Sequence, residues 1–492
     1  MAWKIEYKRY ERFLYGHSNT WPLKNIKILK RINELKKQKS FEGSCEFDEI
    51  VLGDDEFIPV ALNISIMLHV GEIEELKKQY TLLCSKYKSI ENYQTLHHSE
   101  DKFSKAPLHE QNNYSDLEGI EFDKNENFEL LDSSVIRVTE SFMQVSFRFI
   151  YSETFKKEFL KVLTEYKESE FQILDTSFKR LFKTNGFSII RHDNSHLTQH
   201  AIAVFLEDSR QRALEILGKK ITSLHIGSLK SAFSLFVFAY KISSNEDQVR
   251  ENSFSRRLYL HLDGTGLRKY SDPEDKVMML YEAGEYKSLA PNSEMVFFNQ
   301  SVFSDKDIVP YGGELRYLIR SWLRLEIEIS ITMHLAIITI LLDYYSMLTM
   351  YRFTKYKSYT RLSLRRYERF LRETHFYRAF IDEYSLDEKD MKAYFKSSVY
   401  NLSRRLEKGH TYPLNETIFY RIKNRLSAIH ALEKQISSIV TAHKDISIVK
   451  SNWRLSLLVV ILTIISVFPN IRFCLNGLVN YISIKIVGNC FI

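Results

Sequence analysis

The chain reads as an α+β protein: a cytosolic α/β sandwich with a mostly antiparallel sheet, then a long helical stalk of coiled-coil character, then C-terminal transmembrane helices. Three observations lead there. Short apolar runs with period-2 alternation crowd the chain before residue 310, and long patterns of helical period fill the chain after it. The third is LSLLVVILTIISVFPNI, Leu455 to Ile471, which contains no charged residue.

The bulk composition sets the frame. A chain of 492 residues with 44% hydrophobic and 13% aromatic residues has material for two or more packed units, and its 16 Gly and 8 Pro exclude low-complexity architecture. A formal charge of +7 is modest for this length, and basic residues are interspersed with acidic ones nearly everywhere, so no nucleic-acid partner is expected. Cys45, Cys84, Cys474 and Cys490 form no C-x-x-C pair, which leaves reduced thiols as the simplest reading. The opening MAWKIEYKRYERFLYG carries charges throughout and lacks the apolar run of a secretory signal, so the bulk of the chain is expected in the cytoplasm.

Residues 1–90 form a mixed segment in which IPVALNISIMLHV is either strand or helix, and 91–134 read as a polar loop or insertion. The α/β domain is expected over 135–310. FMQVSFRF alternates like a strand, FKKEFLKVLTEYK has a helical stripe, and FQILDTSFKRLFKTNG reads as a helix with a Gly stop. GFSIIRH, HAIAVFLED, AFSLFVFAYK, RRLYLHLD, KVMMLYEA and EMVFFNQ are read as strands, with SRQRALEILGKKI a helix between them. PYGG at Pro310 to Gly313 reads as a hinge, followed by a helical stalk over 314–452 and a membrane domain over 453–492. ISITMHLAIITILLDYYSMLTMY, Ile329 to Tyr351, is long enough to span a bilayer. His334 and Asp343 make a buried bundle helix the favoured reading. Lys444, Lys450 and Arg454 precede the uncharged run and place that side in the cytoplasm; residues 473–492 form a weaker second span.

Few residues suggest chemistry. His192, His196 and His200 have the i, i+4, i+8 spacing of metal ligands on one helix face, but strand-like flanks favour a connecting loop. DGTG at Asp263 to Gly266 reads as a turn, and no phosphate-binding or hydrolase motif is present, so neither catalytic residues nor a cofactor is expected. Arg352 to Arg372 holds eight Lys or Arg and one Glu. Arg361, Arg365, Arg369 and Arg372 follow helical spacing, a stripe suited to anionic lipid headgroups.

LTIISVFP, Leu462 to Pro469, resembles the start of the first transmembrane helix of CorA-type magnesium channels, where a stalk helix runs into an L-T-I-I-x-x-I-F-x-P pattern. Leu462, Thr463, Ile464 and Ile465 match in place; Phe468 and Pro469 match with a gap. The resemblance implies a cytosolic α/β domain, a helical stalk, two C-terminal spans, a homo-oligomer in the bilayer and a divalent cation as partner. The family's G-M-N signature is absent, with RFCLNGL, Arg472 to Leu478, in its place. If the first span lines a pore, Thr463 and Ser466 are polar lining positions, and Leu458 or Ile465 forms a dewetting gate. The expected function is cation conduction, or a CorA-like descendant without magnesium transport. The alternative is a membrane-tethered sensor or effector, for example in bacterial stress or phage defence.

Overall fold

The computed structural model describes residues 56–90, 114–122, 127–165, 170–173, 189–192, 194–227, 232–241, 267–271, 277–282, 293–300, 309, 332–357, 364–386, 402–405, 411–467 and 476–477. The protein is α+β, with a mixed sheet, and divides into two compact units. Unit 1 takes its described residues from Met1–Tyr344 and Phe376–Leu426, and unit 2 from Tyr345–His375 and Ser427–Ile492.

In chain order the elements begin β1 (Glu56–His69), α1 (Ile73–Cys84), β2 (Lys88–Ile90), β3 (Tyr114–Glu121), β4 (Phe128–Arg137), β5 (Phe142–Tyr151) and α2 (Glu153–Thr164). There follow β6 (Glu170–Ile173), β7 (Ile189–His192), α3 (Asn194–Thr222), β8 (Phe233–Lys241), β9 (Leu267–Ser271), β10 (Val277–Glu282) and β11 (Ser293–Asn299). The remainder is α4 (Met333–Lys357), α5 (Leu364–Glu373), α6 (His375–Leu386), β12 (Ser403–Arg405), β13 (Thr411–Pro413) and α7 (Leu414–Val467).

All the described strands belong to unit 1. Eleven form one sheet in the order β13-β12-β9-β10-β11-β8-β1-β5-β4-β3-β2, and β6 pairs with β7 separately. β8 and β11 run parallel, whereas the other described pairs are antiparallel. One face is apolar: Leu62, Ile64, Ile66 and Leu68 of β1, Val145, Phe147 and Phe149 of β5, and Phe236 and Phe238 of β8 share a core with α1, α2 and α3. Phe57 stacks on Phe238 with ring centroids 5.0 Å apart, and Tyr151 on Phe155 at 4.0 Å. Such offset aromatic pairs add about 0.5–1.5 kcal/mol beyond the area they bury. The Ser152 hydroxyl caps α2 by accepting from the Phe155 N–H at 3.3 Å, which turns the chain out of β5 onto this face.

Several expectations change. HAIAVFLED is not a strand; it joins SRQRALEILGKKI in α3, whose buried Leu197, Ala201, Phe205, Ser209 and Ala213 repeat every fourth residue against the sheet. Gly218 interrupts that helix at φ 77°, a left-handed conformation open to glycine without steric cost. Phe171, Gln172 and Ile173, expected at the start of a helix, lie in β6 against β7, while the rest of FQILDTSFKRLFKTNG lies outside the described residues. Within the expected polar stretch 91–134, β3 and the start of β4 pair because Ile120, Phe128 and Leu131 anchor them to the core. The expected helical stalk is interrupted by β12 and β13. Their short ladder extends the sheet edge, where a Pro in last position costs no inward hydrogen bond. RRLYLHLD, DGTG and PYGG lie outside the described residues.

Helix α4 begins as a buried element of unit 1, with Thr332 through Leu341 all buried. Met333–Tyr351 is long and apolar enough to cross a membrane by length and composition, but 61% of its most apolar stretch is buried inside the protein, as in a core helix. In unit 2, Leu348, Phe370, Ile429, Leu432 and Ile436 are buried, and Tyr351 stacks on Phe370 at 4.2 Å.

Candidate functional site

The second face of the large sheet is buried as well: it is apolar over β8 and β11, where Leu235, Val237, Val296 and Phe298 are buried, and largely polar over β1, β4 and β5. The cross-strand register aligns Glu294, Leu235, Asn63, Arg148 and Asp132 in one row over β11, β8, β1, β5 and β4. Arg148 and Asp132 are each 2% exposed and stand directly opposite one another. The next row holds Ser65, Ser146 and Ser134, all buried. Arg148 Nη1 donates to Ser134 Oγ at 3.3 Å, and Gln144 Nε2 donates to Ser65 Oγ at 3.1 Å and Ser146 Oγ at 3.0 Å. Burying polar groups is costly unless they are hydrogen-bonded, so these cross-strand bonds favour one register of β1, β4 and β5.

Helix α6 packs at the end of this face. Phe380 meets Phe142 edge-on at 5.3 Å, and Phe376 lies beside His69. Glu383 accepts from the Thr139 hydroxyl at 2.6 Å and the Ser141 N–H at 3.1 Å, pinning α6 to the β4–β5 turn. Burial works against this carboxylate's charge, but the Ser141 and Thr139 bonds and nearby His69 outweigh it and hold its pKa below the ordinary value.

His225 closes the helical side. The Met67 N–H donates to its Nδ1 at 3.0 Å and the Met67 carbonyl accepts from the Ile226 N–H at 2.8 Å, so His225–Ile226 completes β1 where its pairing with β8 has ended. Burial pushes the imidazole pKa down to about 4. Arg210 acts in the same sense, and the Met67 bond and the Asp343 charge oppose it. Because the folded pKa lies below the unfolded value, the unfolded chain takes up the proton first on acidification. The contribution is therefore intact above about pH 6.5 and is lost as pH falls toward 4. The urea midpoint of the native chain should drop more steeply over that window than that of His225→Gln, whose amide still accepts from Met67; parallel pH profiles would reject this.

Arg210 of α3 bridges to the sheet, donating from Nε to Ser234 Oγ at 2.8 Å and from Nη2 to the Ala232 carbonyl at 3.3 Å. Beside it an open cleft of about 550 Å³ runs along α3 past Leu214, Gly218 and Thr222. Tyr151 donates to Ser209, whose own hydroxyl is spent on the Leu206 carbonyl. These are structural roles.

The residues singled out in the sequence fall as follows. His192 ends β7, whereas His196 and His200 lie in α3 one turn apart and not in a loop; His200 is exposed. No group of three or more His, Cys, Asp or Glu that could hold a metal ion occurs among the described residues. Arg361 lies outside the described residues, Arg365 is in α5, and Arg369 and Arg372 of α5 are exposed. Leu458, Thr463, Ile465 and Ser466 all lie in α7. At about 100° per residue, positions 458 and 465 share a face, whereas 466 is turned by about 80° and 463 by about 140° from 458. The gate positions and Thr463 thus occupy different faces. Thr463 donates to the Val459 carbonyl and Ser466 to the Thr463 carbonyl, both at 2.8 Å, so each hydroxyl proton is satisfied within the helix.

The last turns of α7 differ from every other described helix. Leu455, Leu457, Leu458, Val459, Val460, Ile461, Leu462 and Ile464 are 44% to 59% exposed, on all sides of the helix. No family model, curated protein or solved structure matches the chain in comparison with known proteins.

Proposed function

We propose that this chain is a membrane protein of CorA-like organisation, with its α/β unit in the cytoplasm and α7 as the helix that enters the bilayer. One observation carries the reading: the apolar end of α7 is exposed around its whole circumference, a surface that water disfavours and lipid does not. The described apolar part, Leu455–Val467, covers about 20 Å. The uncharged run continues in the sequence to Ile471, toward the about 30 Å of a hydrocarbon core. Back-bonded Thr463 and Ser466 lower the cost of placing hydroxyls in lipid.

Self-association of α7 through the face shared by Leu458 and position 465 would create a cation pathway gated by dewetting. Thr463 would then face away from that pathway. The chain reconstituted in vesicles should resist alkaline extraction and pass cations down a gradient. Recovery in the soluble fraction would reject membrane insertion, and inserted protein without flux under any gradient would reject conduction alone. A second reading, a membrane-tethered sensor or effector, is favoured by the replacement of G-M-N with RFCLNGL at Arg472 to Leu478. Depolarisation only after a trigger supports it, and constitutive metal uptake opposes it.

A further inference from the structure

Charge in this chain is segregated by unit. Unit 2, Tyr345–His375 with Ser427–Ile492, holds fourteen Lys and Arg against four Asp and Glu, an excess of ten positive charges. The formal charge of the entire chain is only +7, so the remainder is slightly acidic. The even mixing of charges that the whole sequence suggests is thus a property of unit 1.

Within unit 2 the basic residues concentrate on two helices that meet. The end of α4 carries Arg352, Lys355 and Lys357, and α5 carries Arg365, Arg366, Arg369 and Arg372. Tyr351 stacks on buried Phe370 at 4.2 Å with rings inclined by 18°, which holds the C-terminal part of α4 against α5. On α5, positions 364, 367, 370 and 371 are apolar, and positions 365, 369 and 372 follow one another at helical spacing with Arg369 and Arg372 exposed. Glu368 and Glu373 offset only part of that charge.

We propose that the exposed arginines of α5, Arg369 and Arg372, bind the anionic headgroups of the bilayer that α7 enters, an inference that rests on the membrane reading above. Unit 2 exposes two surfaces with opposite demands: the apolar end of α7 and the arginines of α5. An anionic bilayer meets both demands, whereas a polynucleotide would meet only the charge. Lys444, Lys450 and Arg454, which lead into the apolar run on α7, add to the same attraction.

The test dilutes the detergent-solubilised full chain into vesicles of phosphatidylcholine alone, or of phosphatidylcholine mixed with phosphatidylglycerol, and measures flotation. The native chain should float with both and prefer the anionic vesicles. Arg369→Gln combined with Arg372→Gln should lower that preference by about 30-fold at low salt while leaving flotation with neutral vesicles and the far-ultraviolet spectrum unchanged. Equal flotation with both vesicle types, or a preference untouched by the double variant, overturns the headgroup assignment and leaves the membrane reading standing. No flotation with either overturns both. Binding of a short single-stranded RNA by the solubilised chain, lost in the double variant and without any vesicle preference, would assign these arginines to a polynucleotide instead.

Discussion

Arg148→Ala lowers the unfolding free energy of unit 1 by about 3–5 kcal/mol, the expected cost of leaving the buried Asp132 carboxylate without the cation in register with it. The variant removes the cation directly opposite Asp132 on β4, where each residue is 2% exposed. It also removes the Nη1–H donated to Ser134. Asp132 then has two courses, to remain charged in a medium of low polarity or to take up a proton at neutral pH, and both cost stability. Replacing both residues with apolar ones of similar volume, Arg148→Met with Asp132→Leu, should recover most of the loss, since apolar side chains carry no charge to desolvate. Urea unfolding followed by tyrosine and tryptophan fluorescence measures both. A single variant within 1 kcal/mol of the native chain would show that the register alignment brings no interdependence.

The same pair shows where sequence reading stops. In FMQVSFRF the alternation of Met143, Val145, Phe147 and Phe149 with Gln144, Ser146 and Arg148 marks a strand, and β5 is one. Alternation ordinarily means that the polar side meets water. Here Gln144, Ser146 and Arg148 are buried, because their cross-strand neighbours on β1 and β4 supply hydrogen-bond partners and α6 packs beside them. That pairing depends on residues far apart in the chain. The faint local signal was Asn63 and Ser65 interrupting an otherwise apolar β1 at the same period.

Helix α3 is hard to read from the sequence for a related reason. HAIAVFLED is a short apolar run that periodicity cannot assign, and its four-residue spacing emerges only when Leu197 through Ala213 are taken together. β8, β10 and β11 were legible because apolar runs bounded by polar residues leave few alternatives. β12 and β13 were not, since three-residue strands owe their form to the edge they extend. For α7 the sequence and the structure bear on the same feature from two sides. The uncharged run is visible in the residues, and its exposure around the whole helix is visible only in the fold.

That exposure leads to the second large effect. Val459→Arg combined with Leu462→Arg should abolish stable membrane insertion while leaving unit 1 folded. An arginine near the centre of a spanning helix costs about 2.5–3.5 kcal/mol on insertion scales, so two cost about 5–7 kcal/mol. Against this, each of the surrounding Leu, Ile and Val residues contributes only about 0.3–0.6 kcal/mol in favour of insertion. The run from Leu455 to Ile471 has too few of them to offset both arginines. The positions matter, because residues near the ends could extend their guanidinium groups to the interface, whereas these two lie well inside the run. Were the end of α7 instead a helix awaiting a soluble protein partner, the double variant would lose self-association but remain extractable to the same degree as the native chain. Alkaline extraction of both forms, with tyrosine fluorescence as a check on unit 1, separates the two cases. A double variant retained in the membrane fraction as firmly as the native chain would exclude α7 as the inserting helix.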